Sequence, residues 1–352
     1  MTVDSLQVTP MTAPTAPVGL GAPGTPGGLG EPERVPVRRD VEGLRAVAVL
    51  LVVAYHAGVR PVTGGYVGVD VFFVVSGFVI TAMLLREVRA TGRISLPAFY
   101  ARRAARLLPA ATVTTVAVLA AAWHWLPLQL TTIAKDAVAS ACYGVNYLMA
   151  RRGVDYLADT GVPSPFEHFW SLAIEEQFYL VWPVVLLVVT WLGARGTGRP
   201  ARLLAAVKAA AAVASFALCW WLTARSAPTA YFIAPTRAWE LALGALVALG
   251  AARAARLPGP VAAGITWVGL AGIVVAALRY DDTTLFPGVA ALLPTLGTAL
   301  VIAGGFAAGR AGAGRAGAGL LLGTGPFQLL GRLSYSWYLW HWPFLVFGSI
   351  AL

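Results

Sequence analysis

Charge is what this chain has least of. Asp, Glu, Lys and Arg supply 12% of its 352 residues, against about a quarter in a soluble domain, while 58% are hydrophobic and the mean hydropathy is +0.72. Such a chain cannot cover a water-soluble surface, and it predicts an integral membrane protein. Cysteine is nearly absent: Cys142 and Cys219 lie in different segments without metal-ligand spacing, which argues against a disulfide framework and leaves no metal expected. No Walker or dinucleotide glycine pattern is present, since SGFVIT and GRAGAGRAGAG are too unspecific to count. The +10 net charge does not call for nucleic acid, because arginines flanking apolar runs are first of all topology signals.

The first forty residues lack any apolar run. Their Pro, Gly and Thr content, as in TPMTAPTAPVGLGAPGTPGGLGEPE, predicts a disordered cytoplasmic tail over 1–37 rather than a cleaved signal peptide. From residue 38 onward the pattern predicts an all-α, polytopic membrane helix bundle. Its runs approach the ~20 residues that cross ~30 Å of hydrocarbon. Nine spans are expected near 41–58, 67–86, 104–123, 169–193, 203–223, 231–250, 261–279, 286–308 and 333–352. The stretch 132–149 is a poor span because it carries Lys135, Asp136 and Asn146. Keeping 124–168 outside as one long segment leaves most arginines, from Arg34 to Arg332, on the cytoplasmic side; letting it cross would invert every later loop. The expected address is the cell membrane, multi-pass, with the N-terminus in the cytoplasm.

Two ionisable residues inside the first span need an explanation. Arg45 and His56 are eleven residues apart, about 20° beyond three full turns, so they share one helix face roughly 16 Å apart along the axis. Arg45 alone can snorkel to headgroups, and a buried His can simply be bonded between helices; together they favour function. Asp70, just inside the second span, matches His56 in depth. It is read either as the carboxylate that orients the imidazole or as a helix N-cap. In FYARRAARLLPA, Arg102, Arg103 and Arg106 are expected in the first cytoplasmic loop, as phosphate-binding groups or as a plain topology anchor. In PSPFEHFWSLAIEEQFYLVWP, His168, Trp170 and Glu175 form a candidate acceptor-side polar site; Glu240 of APTRAWELALG is a further external-mouth candidate. His341, in tryptophan-rich surroundings, is given no chemistry, and His124 is read as interfacial.

Five ordered segments, RRDVEGLRAVAVLLVVAYHAG, GGYVGVDVFFVVSGFVIT, FYARRAARLLPA, HFWSLAIEEQFYLVWP and LGRLSYSWYLWHWPF, resemble the acyltransferase-3 family of membrane acyltransferases over about 38–344. Domain 38–352 is therefore expected to be that family's transmembrane domain. The resemblance implies transfer of an acyl group, usually acetyl, from cytoplasmic acyl-coenzyme A to a hydroxyl of a cell-surface glycan or other acceptor. It implies that Arg45 and His56 are the family's Arg-x10-His pair and Arg103 and Arg106 its Arg-x-x-Arg pair. Glu42 stands where the family usually has Asp. It resembles most the members that add an external SGNH domain, so the chain is expected to be incomplete at its C-terminus. Acyl-coenzyme A is expected as a donor substrate, with no permanently bound cofactor. His56 would act as general base, with Asp70 and Glu175 in supporting catalytic roles, and with direct transfer and an acyl-histidine both open. The alternative is a transporter or flippase using the intramembrane Arg, His and Asp as a substrate or proton path.

Overall fold

The nine expected spans are each met by one long helix in the computed structural model, which describes residues 38–154, 156–157, 163–195, 200–308 and 317–351. The tail expected at 1–37 lies outside the described residues. The helices are α1 (Arg39–His56), α2 (Gly68–Thr91), α3 (Leu96–Trp125), α4 (Leu130–Ala141), α5 (Val145–Arg152), α6 (Phe169–Arg195), α7 (Pro200–Thr223), α8 (Ala227–Phe232), α9 (Ala234–Leu249), α10 (Ala251–Ala254), α11 (Gly259–Arg279), α12 (Leu292–Ala308), α13 (Gly319–Leu322) and α14 (Gly325–Ala351). No strand occurs among the described residues. Four of these segments are long and apolar enough to cross a bilayer unaided: Gly65–Thr91, Leu96–Trp125, Phe169–Val188 and Gly259–Arg279. Shorter apolar helices at Ala209–Thr223 and Leu292–Ala307 complete the apolar belt.

Burial separates centre from rim. The apolar window of α2 is 72% buried, that of α3 only 11%, so α3 turns Val113, Val116 and Leu108 outward to lipid. In hydrocarbon, helices associate through close packing of small residues. A Cβ at Gly77 would overlap the Leu241 carbonyl, and one at Gly244 the Val74 carbonyl, so α2 and α9 cross backbone to backbone. Gly43 meets the Leu322 carbonyl of α13, and Gly331 of α14 meets the Glu42 carbonyl of α1 in the same way. Contacts at the two ends fix the alternation of the helices. Arg38 donates to the Ile302 carbonyl and Gln328 to the Arg39 carbonyl at one end; Gly64 N–H donates to the Ala277 carbonyl at the other.

Two expectations are corrected. The arginine motif is not in a loop: it occupies the first turns of α3, where Pro97 suits the helix start and Ala, Arg and Leu are strong helix formers. The segment 124–168 is not a plain external stretch either. Its helices α4 and α5 form a hairpin whose turn, Cys142 and Tyr143, shares a cavity wall with Arg103, Leu107 and Leu108 of α3 and Glu176 of α6. Short helices with polar groups are tolerated at such depth only where protein satisfies them. Asp136 pairs with Arg152 at 2.7 Å and accepts from Ser164 at 2.7 Å, and Asn146 donates to the Phe232 carbonyl while accepting from Gln177, each at 3.0 Å.

Candidate active site

The close approach of α1 and α14 sets two imidazoles nitrogen to nitrogen. His56 closes α1, and its Nδ1 lies 2.9 Å from Nε2 of His341, with the ring planes 20° apart. His341 Nδ1 is 2.7 Å from the Tyr338 carbonyl, and His56 Nε2 is 2.8 Å from the Tyr156 hydroxyl. These contacts fix the tautomers of two neutral rings. A carbonyl only accepts, so His341 Nδ1 carries hydrogen and its Nε2 has the lone pair; His56 Nδ1–H then donates to it. His56 Nε2 is left as the basic atom, and the Tyr156 hydroxyl donates to it. Trp342 packs over the His56 ring at 4.6 Å between centroids. His341, given no chemistry by its sequence context, is thus the direct partner of His56.

Asp70 does not orient His56. It sits in the first turn of α2, wholly buried, and pairs with Arg237 Nη2 of α9 at 3.1 Å. Arg237 Nη1 pairs in turn with Glu240 at 3.0 Å, and all three side chains have no exposure. The α2–α9 crossing at Gly77 and Gly244 is what brings the two helices close enough. A buried guanidinium between two carboxylates is costly to break, about 3–5 kcal/mol on loss of a partner. Its Cζ also lies 5.5–5.6 Å from the centroids of the Phe73, Tyr231 and Phe286 rings, so the cluster props an aromatic layer. Glu240, expected at an external mouth, is part of that prop. Arg237 is a residue the sequence reading missed: Glu240, three residues on, is a local partner, but Asp70, which completes the cluster, is 167 residues away.

A second cavity opens toward the Arg45 end. Arg45, Arg103 and Arg106 line it together with Ser76, Glu175, Tyr179 and, on α14, Ser334, Tyr335 and Tyr338. Arg103 pairs with Glu176 at 2.6 Å and stacks its guanidinium 3.7 Å over Tyr179. Arg45 lies 3.6 Å from Glu42, one turn back. Arg106 lines the mouth and is exposed. Arg102 stands about 100° around the helix from Arg103, so it leaves the cavity and pairs with Glu87 at 3.2 Å. Glu175, expected on the acceptor side, lines this arginine cavity instead, accepting from Ser76 at 2.9 Å and Tyr179 at 3.2 Å.

Tyr338 is the wall between the cavity and the histidines. Tyr338 donates to the His168 carbonyl at 3.0 Å and packs 5.3 Å from His341, one turn farther along α14. His168 Nε2–H donates to the Leu339 carbonyl at 3.1 Å, and its ring meets His341 edge-on at 5.6 Å. Trp170 packs among Phe73, Tyr156 and Tyr231. Both His168 and Trp170 are fully buried, so they form the wall behind the imidazole pair and present no face to a substrate. Outside the spans, burial beside Asp136 pushes the Glu167 carboxyl up to about 7. No group of three or more His, Cys, Asp and Glu able to hold a metal occurs among the described residues.

A membrane helix bundle with an arginine-lined cavity at one end and a hydrogen-bonded imidazole pair beyond its Tyr338 wall is the class this geometry defines. Residues 38–349 match the family model described as an acyltransferase domain, and the chain belongs to that acyltransferase-3 family. It is 44% identical over 149 residues to the peptidoglycan O-acetyltransferase OatA of Listeria monocytogenes, covering 42% of this chain and 24% of that protein. It is 30% identical over 315 residues to the O-acetyltransferase OatA of Staphylococcus aureus, covering 87% of this chain and 50% of that protein. The chain thus spans half or less of the length of these relatives. No solved structure matches it.

Proposed function

We propose that this chain is the membrane part of an O-acetyltransferase, which passes an acetyl group from acyl-coenzyme A at the Arg45 end to a hydroxyl of peptidoglycan at the His56 end. The reading is carried by the tautomer-fixed chain from Tyr338 through His341 and His56 to Tyr156, which leaves a basic imidazole nitrogen beyond the Tyr338 wall of the arginine cavity. The family and the names of the relatives support it.

Each residue has a part that its place dictates. Arg103 and Arg106 hold the donor's phosphates, since guanidinium forks match phosphate oxygens. Arg45, Ser76 and Glu175 flank the pantetheine arm. His56 Nε2 takes the proton of the acceptor hydroxyl as its oxygen attacks the thioester carbon; the C–O bond forms, the C–S bond breaks, and the thiolate recovers that proton. Tyr156 is displaced from Nε2 by the acceptor hydroxyl it mimics. Basic residues gather at the Arg45 end, at Arg86, Arg89, Arg93, Arg253 and Arg256, which supports a cytoplasmic N-terminus. The family assignment favours group transfer over transport.

Membranes carrying the full chain, given labelled acetyl-coenzyme A and fractionated for labelled glycan, test the activity; absence of label in every glycan and small-molecule fraction overturns it. Orientation is tested in intact cells with an impermeant thiol reagent on a Cys142→Ser background. Thr283→Cys reacts and Arg253→Cys does not; the reverse pattern overturns the orientation.

A further inference from the structure

Beyond the histidines, on the side away from the arginine cavity, lies a separate cleft of about 140 Å³. Tyr156 forms the wall it shares with His56. The buried rings of Tyr231 and Phe286 form its packed floor, exposed Leu285 supplies apolar surface, and Asp282, Thr283 and Thr284 supply a polar rim. Tyr231 stacks on Tyr156 with centroids 5.0 Å apart at 25°, so the aromatic layer continues from the cleft to the base.

The rim is built. Asp281 accepts from the Thr283 N–H at 3.1 Å and from the hydroxyls of Thr283 and Thr284 at 2.7 and 3.1 Å. Those bonds hold the Asp281 carboxyl below its ordinary range and leave both threonine oxygens with lone pairs to accept from a ligand. The Tyr66 hydroxyl anchors the same loop through the Asp281 carbonyl at 3.1 Å. Beneath the aromatic layer, Arg237 with Asp70 and Glu240 holds Tyr231 and Phe286 in place. Asp282 itself is exposed and makes no hydrogen bond or ion pair among the described residues.

We propose that this cleft is the subsite for one pyranose ring of the acceptor glycan, with Leu285 and the half-buried Tyr156 ring against its C–H face, Asp282 and Thr283 on its hydroxyls, and the Tyr156 hydroxyl yielding to the hydroxyl that is acylated. A sugar ring is an apolar face rimmed by hydroxyl donors, which is what apolar pockets with few placed polar groups select. The free carboxylate accepts hydrogen bonds and repels phosphate, so the cleft discriminates against the anionic donor and against lipid headgroups. This inference rests on the acyl-transfer reading and names the acceptor class and its residues.

The test uses the full chain in nanodiscs with triacetylchitotriose as the saccharide probe, read by saturation-transfer NMR, alongside acyl-coenzyme A binding and transfer in the same preparation. Asp282→Ala and Thr283→Val are each expected to weaken saccharide binding at least fivefold and to raise the saccharide KM in step. Acyl-coenzyme A affinity and thermal midpoint are expected to stay as in the parent chain. Unchanged saccharide affinity in both variants, or no saccharide binding by the parent chain, overturns the subsite. Saccharide binding that is weakened in the variants, while the parent chain shows no acyl transfer, supports the cleft as a sugar site and overturns the transfer reading alone.

Discussion

At the Arg45 end polar groups are charged, and three guanidiniums converge on one cavity with Glu42, Glu175 and Glu176 beside them. At the His56 end imidazoles, phenols and indoles pack together, and the ion-paired group beside them, Asp70, Arg237 and Glu240, is locked together with no exposure. Under the proposed transfer, the difference lets one bundle treat donor and acceptor differently. Free positive charge at a mouth recruits an anion over long range and is screened by salt. A hydrogen-bonded interior fixes which nitrogen of a base faces the reacting hydroxyl. Donor affinity and chemistry should therefore separate cleanly by end.

Removing the base is the strongest way to break that separation. His56→Ala is expected to lower transfer by about 10²–10⁴-fold, the usual contribution of a positioned general base, with acyl-coenzyme A affinity kept; near-normal turnover would refute the assignment. Next comes Arg237→Met, which leaves Asp70 and Glu240 buried without their cation. It should cost about 3–5 kcal/mol and appear as a loss of thermal stability and yield, whereas His56→Ala should leave the thermal midpoint in place.

A smaller effect probes the charged end. Replacing Arg103 and Arg106 together by Lys keeps the charge but loses the planar fork. The acyl-coenzyme A concentration for half-maximal rate should rise by about tenfold, in line with one charged hydrogen bond at ~1.5 kcal/mol, with the maximal rate little altered. Equal donor affinity in the double Lys chain and the parent would return the pair to a topology anchor. The smallest effect belongs to Arg102→Ala. This residue is exposed and paired to Glu87 away from the cavity, so donor affinity should change by less than about twofold, as surface pairs contribute little. A larger loss would place Arg102 among the phosphate contacts after all.

Local regularities were readable and long-range ones were not. The shared face of Arg45 and His56 comes from helix arithmetic, and the nine apolar runs come from composition, because both are set within a few turns of chain. The partner of His56 is 285 residues away, and that of Asp70 is 167. No periodicity connects such pairs; they depend on which helices have glycines where they cross. Depth alone matched Asp70 to His56, but angular position around α2 turned Asp70 toward α9. The α4–α5 hairpin escaped for a related reason. Lys135, Asp136 and Asn146 make the segment look too polar for the membrane, and only the fold supplies Arg152, Ser164 and Gln177 to satisfy it.

The string of hydrogen bonds through the two rings also has an isotopic consequence. When His56 Nε2 captures a proton, its Nδ1–H is pressed toward the lone pair of His341, whose own Nδ1–H is held by a carbonyl in the same helix. Two protons then move in one event, the transferred one and the one between the rings. A proton inventory in mixed light and heavy water should curve rather than run straight, and it should become linear when His341→Phe leaves His56 to act as a solitary base.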